Sequence, residues 1–218
     1  MATLGFKATD FEVFGIEGFG ARMEKIYEHV RPKLTRLGNE LAPELSRKMG
    51  LEFYPHVARH TRRVAPPETW VAFGPSPRGY KRYGYLALCI SRAGLHARAV
   101  VKAEADSRPE MVDRLIARSG HLVMEFAGTK IARYEHWDFA RLPVTAAAEP
   151  ELFGALAAAL GKKTGWIDLG FGWTVSQALR LERGEVIEAF RELEPLYRVF
   201  TSGFCAEAPA PAGEQRRR

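Results

Sequence analysis

At 218 residues, 46% hydrophobic and 27% charged, the chain has the make-up of an ordinary globular protein with room for a substantial core. No apolar run approaches the roughly 20 residues that cross a bilayer, and the start Met1-Ala2-Thr3-Leu4-Gly5-Phe6-Lys7 lacks the basic-then-apolar layout of a signal peptide, so no membrane partner is expected. The two cysteines, Cys89 and Cys205, make no disulfide framework, and a reducing cytoplasm is the expected setting.

Thr9-Asp10-Phe11-Glu12 predicts a short helix, with Thr9 as N-cap and Glu12 as its reciprocal partner. Phe19, Met23, Ile26, Val30, Leu34, Leu37, Leu41, Leu45 and Met49 then step by three or four, one face of a helix. Pro32, Gly38 and Pro43 predict that it divides into two or three pieces sharing one buried stripe. Pro55 at a first helical turn predicts a short helix through Arg63, with His56 and His60 one turn apart on one face. Strands follow at Thr69–Phe73, Tyr85–Ser91 and Leu95–Glu104, the last two joined by a hairpin at Arg92-Ala93-Gly94. Ser107 caps a helix running to Gly120. His121–Phe126 and Lys130–Glu135 read as a second hairpin, Glu151–Leu160 as a helix, and Trp166–Val175 as a strand bent at its glycines. Val186, Phe190, Leu193, Tyr197 and Phe200 form the stripe of a closing helix broken near Pro195.

Hairpins outnumber crossover units. The expected fold is α+β, a single domain over residues 1–205, mostly antiparallel sheet with helices packed on one face. Residues 206–218, rich in Ala and Pro and ending Arg216-Arg217-Arg218, are expected to be a disordered tail.

Several short runs belong together: Gly5-Phe6 with Asp10-Phe11, Val30-Arg31-Pro32-Lys33-Leu34, Tyr54-Pro55-His56-Val57-Ala58-Arg59-His60-Thr61-Arg62-Arg63, Thr69-Trp70-Val71-Ala72-Phe73, Arg78-Gly79-Tyr80-Lys81, and Leu196-Tyr197 after Pro195. In this order they resemble the YktB-like family of uncharacterised bacterial proteins, over nearly the whole chain. The resemblance implies a single cytoplasmic α+β domain from a bacterium and carries over no catalytic residues. The Arg-ending tail departs from it.

The charge is unevenly placed. Residues 53–102 hold nine Arg or Lys against one acid, Glu68, a local net of +8, so the rest of the chain sums to −2 of the overall +6. Like charge at that density invites an anion. The expected function is therefore binding of an anionic ligand, either nucleic acid or a phosphorylated small molecule, through a basic surface formed by residues 56–102. Its expected contributors are His56, Arg59, His60, Arg62, Arg63, Arg78, Tyr80, Lys81, Arg82, His96 and Arg98. In the long connection 74–84, Tyr80 and Tyr83 would stack on a base or sugar while Arg78, Lys81 and Arg82 neutralise phosphate. Period-2 alternation puts His96, Arg98, Val100, Lys102 and Glu104 on one face of their strand, the polar one. A solvated loop and an ordinary solvated sheet face are the plainer readings of the same residues.

Two further classes compete. One is an enzyme acting on a phosphorylated small molecule with His56, His60 or His96 as acid or base. The other is a protein-interaction module in which Trp70, Tyr80, Tyr83 and Tyr85 anchor a partner within an arginine rim. No metal is expected, because His56 and His60 lack an evident third ligand and Val57 stands where a His-Glu-x-x-His protease has Glu. No cofactor is implied either. Gly170-Phe171-Gly172 lacks the third glycine of a dinucleotide fingerprint, and Lys162-Lys163 merely follows a helix end.

Overall fold

The apolar stripe of the N-terminal third becomes one long helical run in the computed structural model, which describes residues 3–60, 64–133, 144–147 and 149–201. Helix α1 (Ala8–Glu12) comes first, then a 3-10 turn at Val13–Gly15, helix α2 (Phe19–Lys25), and helix α3 (Arg31–Met49) ending at Gly50 in the left-handed conformation. Between α2 and α3 the residues Ile26–Val30 form a widened π turn. Pro32 explains it: a proline lacks the N–H donor and crowds the carbonyl four residues back, so the helix opens there rather than breaking. Pro43 stays inside α3 with its ring exposed. Met23, Ile26, Val30, Leu34, Leu37, Leu41, Leu45 and Met49 are all buried, as the period requires. The cap of α1 differs from expectation. Lys7 is the N-cap, and Asp10 rather than Glu12 accepts its backbone N–H at 2.6 Å.

Among the described residues seven strands form one sheet in the order β1-β2-β3-β4-β7-β5-β6, with every pair antiparallel. They are β1 (Tyr54–Val57), β2 (Glu68–Gly74), β3 (Gly84–Ser91), β4 (Gly94–Val101), β5 (Lys130–Arg133), β6 (Val144–Ala147) and β7 (Ile167–Thr174). The remaining helices are α4 (Arg108–Ala117), α5 (Ser119–Glu125), α6 (Pro150–Gly161), α7 (Val175–Ala178), α8 (Arg183–Glu192) and α9 (Glu194–Thr201). Among the described residues no helix is long and apolar enough to cross a membrane.

The helices cover one face of the sheet. Their buried side chains join Val71, Phe73, Leu86, Leu88, Leu95, Ala97, Ala99 and Leu169 in one large core. On the opposite face Ala72, Tyr80, Tyr85, Ala87, Cys89 and Val100 form a small cluster of their own with Trp70. The α+β class with helices on one face is thus the observed architecture.

Three expectations are corrected. Residues 54–57 form a strand, not a helix: Pro55 sits on the edge strand opposite Phe73, where a missing N–H costs least, and β1 closes on β2. His56 and His60 therefore share no helix face. Residues 121–125 are helical, continuing α4 after a break near Arg118, so β5 has no partner there. Its partners are β6 and β7, reached only through the fold. At the β3–β4 turn, Ser91 pairs directly with Gly94, leaving a two-residue connection where three were expected. Expectations for residues 61–63 and for the tail 206–218 lie outside the described residues.

Gly38 lets α3 approach the sheet. A Cβ there would stand 2.9 Å from Val71 Cγ2 and 3.0 Å from Pro55 Cβ. Alanine gains about 1 kcal/mol of intrinsic helix preference over glycine, but overpacking costs about 1–3 kcal/mol. Gly38→Ala should therefore lose about 1 kcal/mol in urea unfolding. A more stable variant would mean that α3 and β1 separate freely.

Candidate functional site

The face away from the helices carries the chain's unusual chemistry. Strand pairing aligns one row across it: His56 opposite Ala72, Ala72 opposite Ala87, Ala87 opposite Arg98, and Arg98 opposite Gly170. Small neighbours on both sides leave the Arg98 side chain free to lie over the sheet. Its guanidinium meets Glu68 in a two-pronged pair, Nη1–Oε1 at 3.1 Å and Nη2–Oε2 at 2.9 Å, and Asp168 Oδ2 at 3.4 Å. Arg98, Glu68 and Asp168 are 1%, 7% and 3% exposed. Arg98 is thus a buried ion-pair centre rather than part of a basic surface. Alternation gave the correct face, but alternation says nothing about what covers a face.

His96, also buried, shares a hydrogen bond with Ser91 Oγ through Nε2 at 3.2 Å. Burial first, and then the nearby Arg98, lower its pKa to about 3, so the ring is neutral. Cys89 lies beside these groups in the small cluster, and burial pushes its thiol up, leaving it unreactive. Lys102, just past the end of β4, is half-buried. Its Nζ stands 3.5 Å from the Trp166 ring centroid and 6.0 Å from that of Trp70.

The long loop between β2 and β3 folds back over this face. His56 Nε2 donates to the Ser76 carbonyl at 2.8 Å, and its ring packs on Tyr80 at 5.6 Å. Tyr80 is buried, edge-on to Tyr85 at 4.6 Å, and its hydroxyl accepts from Trp70 Nε1 at 3.2 Å. Burial raises its pKa to about 12. The Tyr80 ring is therefore part of the structure, turned away from any incoming base. Arg82 is tied to Asp106 on the far side of the loop, its Nε donating to Oδ2 at 2.6 Å.

The remaining cations gather at the β1 end. Arg31, at the start of α3, donates from Nη1 to the Ala58 carbonyl at 2.9 Å and so holds the stretch that carries Arg59 and His60. His60 Nε2 shares a hydrogen bond with Thr69 Oγ1 at 3.0 Å, and its ring meets Trp70 edge-on at 5.7 Å. Burial, then the positive charges of Lys81 and Arg31, depress its pKa to about 4. Arg59, Arg78 and Lys81 are exposed.

The expected residues therefore divide into layers. His96 and Arg98 lie in the buried floor, His56 and Tyr80 fasten the loop, and Arg59, His60 and Lys81 form a rim with Arg31. Arg78 is on the loop surface, and Arg62 and Arg63 lie outside the described residues. Sequence reading missed Arg31, Glu68 and Asp168. Glu68 was visible as the one acid in a stretch of nine cations, a signal that it neutralises one of them. Nothing local marked Asp168. Among the described residues no three His, Cys, Asp or Glu side chains gather as a metal-ligand set.

Residues 6–197 match a known family described as a domain of unknown function, DUF1054. A UPF0637 protein of Lysinibacillus sphaericus is 33% identical over 196 residues, spanning 87% of this chain and 92% of that one. One from Bacillus velezensis is 38% identical over 148 residues, covering 63% of this chain and 70% of its own. A Staphylococcus aureus relative reaches 48% over 83 residues, 37% of this chain and 41% of the relative. With its matched region running from residue 6 to residue 197 in the closing helix, the chain belongs to the DUF1054 (UPF0637) family of bacterial proteins.

Proposed function

We propose that the protein binds a small polyanion, of the phosphorylated class, at the rim formed by Arg31, Arg59, His60 and Lys81 beside Trp70. One observation carries this reading. Three segments distant in sequence bring Arg31 and Lys81 close enough to His60 that their charge adds to burial in depressing its pKa, and neither cation has a carboxylate partner among the described residues. Uncompensated positive charge beside a half-buried imidazole is costly unless an anion enters. A polymeric nucleic acid is less well served, because Tyr80 is buried and Arg82 and Arg98 are already paired. The reading places this function in the cytoplasm, in keeping with a chain of only two cysteines.

Calorimetric titration with inorganic pyrophosphate and, separately, a single-stranded oligonucleotide at low salt tests it. Pyrophosphate should bind, and Lys81→Ala and Arg31→Ala should each weaken it about tenfold, one charge-assisted contact being worth about 1.5 kcal/mol or more. A bound anion also favours imidazolium, so affinity should rise as pH falls towards 5. Oligonucleotide binding with a steep salt slope and no pyrophosphate binding would replace the small ligand with a nucleic acid. Binding of neither, or no loss in the variants, would end the proposal.

A further inference from the structure

We propose that the ligand of the rim is a nucleotide, with its phosphates at Arg31, His60 and Lys81 and its base stacked on Tyr27. The proposal rests on the anion site argued above and names what the anion is attached to. Three observations carry it. Tyr27 is the only exposed aromatic side chain among the described residues, with 51% of it open to solvent. It stands one turn before Arg31, whose guanidinium lies over the Tyr27 ring with Cζ 5.3 Å from the centroid. The same guanidinium reaches the Ala58 carbonyl at 2.9 Å, so one side chain links the ring to the segment that carries Arg59 and His60.

Local chain geometry puts Tyr27 in that position. Ile26 and Val30 are anchored in the core at the two ends of the π turn, which leaves Tyr27 on the outside. Widened turns of this kind recur at functional sites. A groove of about 710 Å³ runs from Tyr27 along the outer side of α3, walled by Arg31, Pro32 and Thr35, as far as Glu40. Sites for small ligands usually measure about 300–1,000 Å³. The acid at its far end, Glu40, is already held by Arg36 at 3.0 Å and by Arg183 at 3.4 Å, so it offers little repulsion to a phosphate.

The two halves of a nucleotide match the two halves of this arrangement. Every base has a flat π face, and stacking on an aromatic side chain holds it without reading its identity. Arg31 serves both ends, since a guanidinium is planar against a ring and charged towards a phosphate. A single ribose separates base from phosphates, just as a single side chain separates the Tyr27 ring from the rim. A phosphorylated sugar or free pyrophosphate would use the rim alone and leave Tyr27 idle.

Calorimetric titrations of the full chain with ADP and with inorganic pyrophosphate, at one pH and one low salt concentration, test the proposal. ADP should bind about tenfold more tightly than pyrophosphate, within the range that stacking one base provides. Tyr27→Leu should weaken ADP about tenfold and leave pyrophosphate within about twofold, which also shows that the variant is folded. Tyr27→Phe should keep ADP within about twofold, because stacking needs the ring and not the hydroxyl. In the wild-type complex, NMR saturation transfer should reach the adenine protons more strongly than those of the ribose. ADP no tighter than pyrophosphate, a Tyr27→Leu loss that is absent or shared equally by both ligands, or saturation favouring the ribose would overturn the base subsite and leave the anion site standing. Binding of neither ligand by the wild-type protein would remove both.

Discussion

Arg98→Met should destabilise the fold by about 3–5 kcal/mol, the range for removing one partner of a buried ion pair. The side chain is 1% exposed and faces Glu68 and Asp168, which are almost equally enclosed. Methionine replaces the bulk but leaves two carboxylates with no guanidinium in a low-dielectric setting. Those carboxyls would then favour their neutral forms, with folded-state pKa values raised above the unfolded ones. A group raised in this way contributes stability below its unfolded pKa and loses that contribution as pH rises through the folded one. The deficit of the variant should therefore shrink as pH falls towards 4, opposite to the wild type. Urea midpoints at pH 7 and pH 5 check the sign. Adding Glu68→Gln and Asp168→Asn to the methionine variant should restore part of the loss, since the buried charges go together. A single variant within 1 kcal/mol of wild type would mean that water reaches this cluster and that it is not the sealed floor of a site.

Acid should unfold the wild-type protein earlier than its carboxylates alone would require. His96 is held neutral with a pKa of about 3 and His60 with one of about 4, against 6.5 in an unfolded chain. For a histidine lowered on folding, stability is intact above 6.5 and falls as pH drops towards the folded value, because the unfolded chain takes up the proton first. By pH 4 the His96 contribution is on the order of 3 kcal/mol, taking 1.36 kcal/mol per pKa unit. His60 should contribute less, since it is only partly buried and solvent screens its charge. Thermal unfolding followed from pH 7 to pH 4 should show this decline. In His96→Gln, which keeps a group able to bond Ser91, the slope should be clearly flatter. Equal slopes would assign the decline to other groups.

The two outcomes bear on the proposed function. A sealed charge cluster beneath the loop gives the sheet face a rigid floor, with His56 and Tyr80 pinning the loop above it. The rim groups then sit on fixed supports: Arg31 on a helix start, His60 against Thr69 and Trp70. Preorganisation of this kind lowers the cost of binding a small ligand.

What the sequence determined by itself was whatever depends on periodicity and on nearest neighbours. The stripe from Met23 to Met49, strands β2, β3 and β4, the break before Pro195, and the side of β4 that faces the helices all follow from spacing alone. The tertiary structure decided the rest, because it depends on partners far along the chain. Residues 54–57 have no strong local preference, and pairing with β2 overrode the helix that Pro55 suggested. Residues 121–125 took the helical state as a continuation of α4, with Leu122 buried in the core, while β5 found its pairing elsewhere. The charge of residues 53–102 was legible, but its meaning was not. Arg98 is neutralised by carboxylates 30 and 70 residues away, Arg82 by one 24 residues away, and Arg31 joined the rim from a helix outside the counted stretch. Counting charges along a sequence gives their sum. Which of them remain uncompensated is settled by the chain's path, since Coulomb interactions depend on distance in space and on what surrounds the pair.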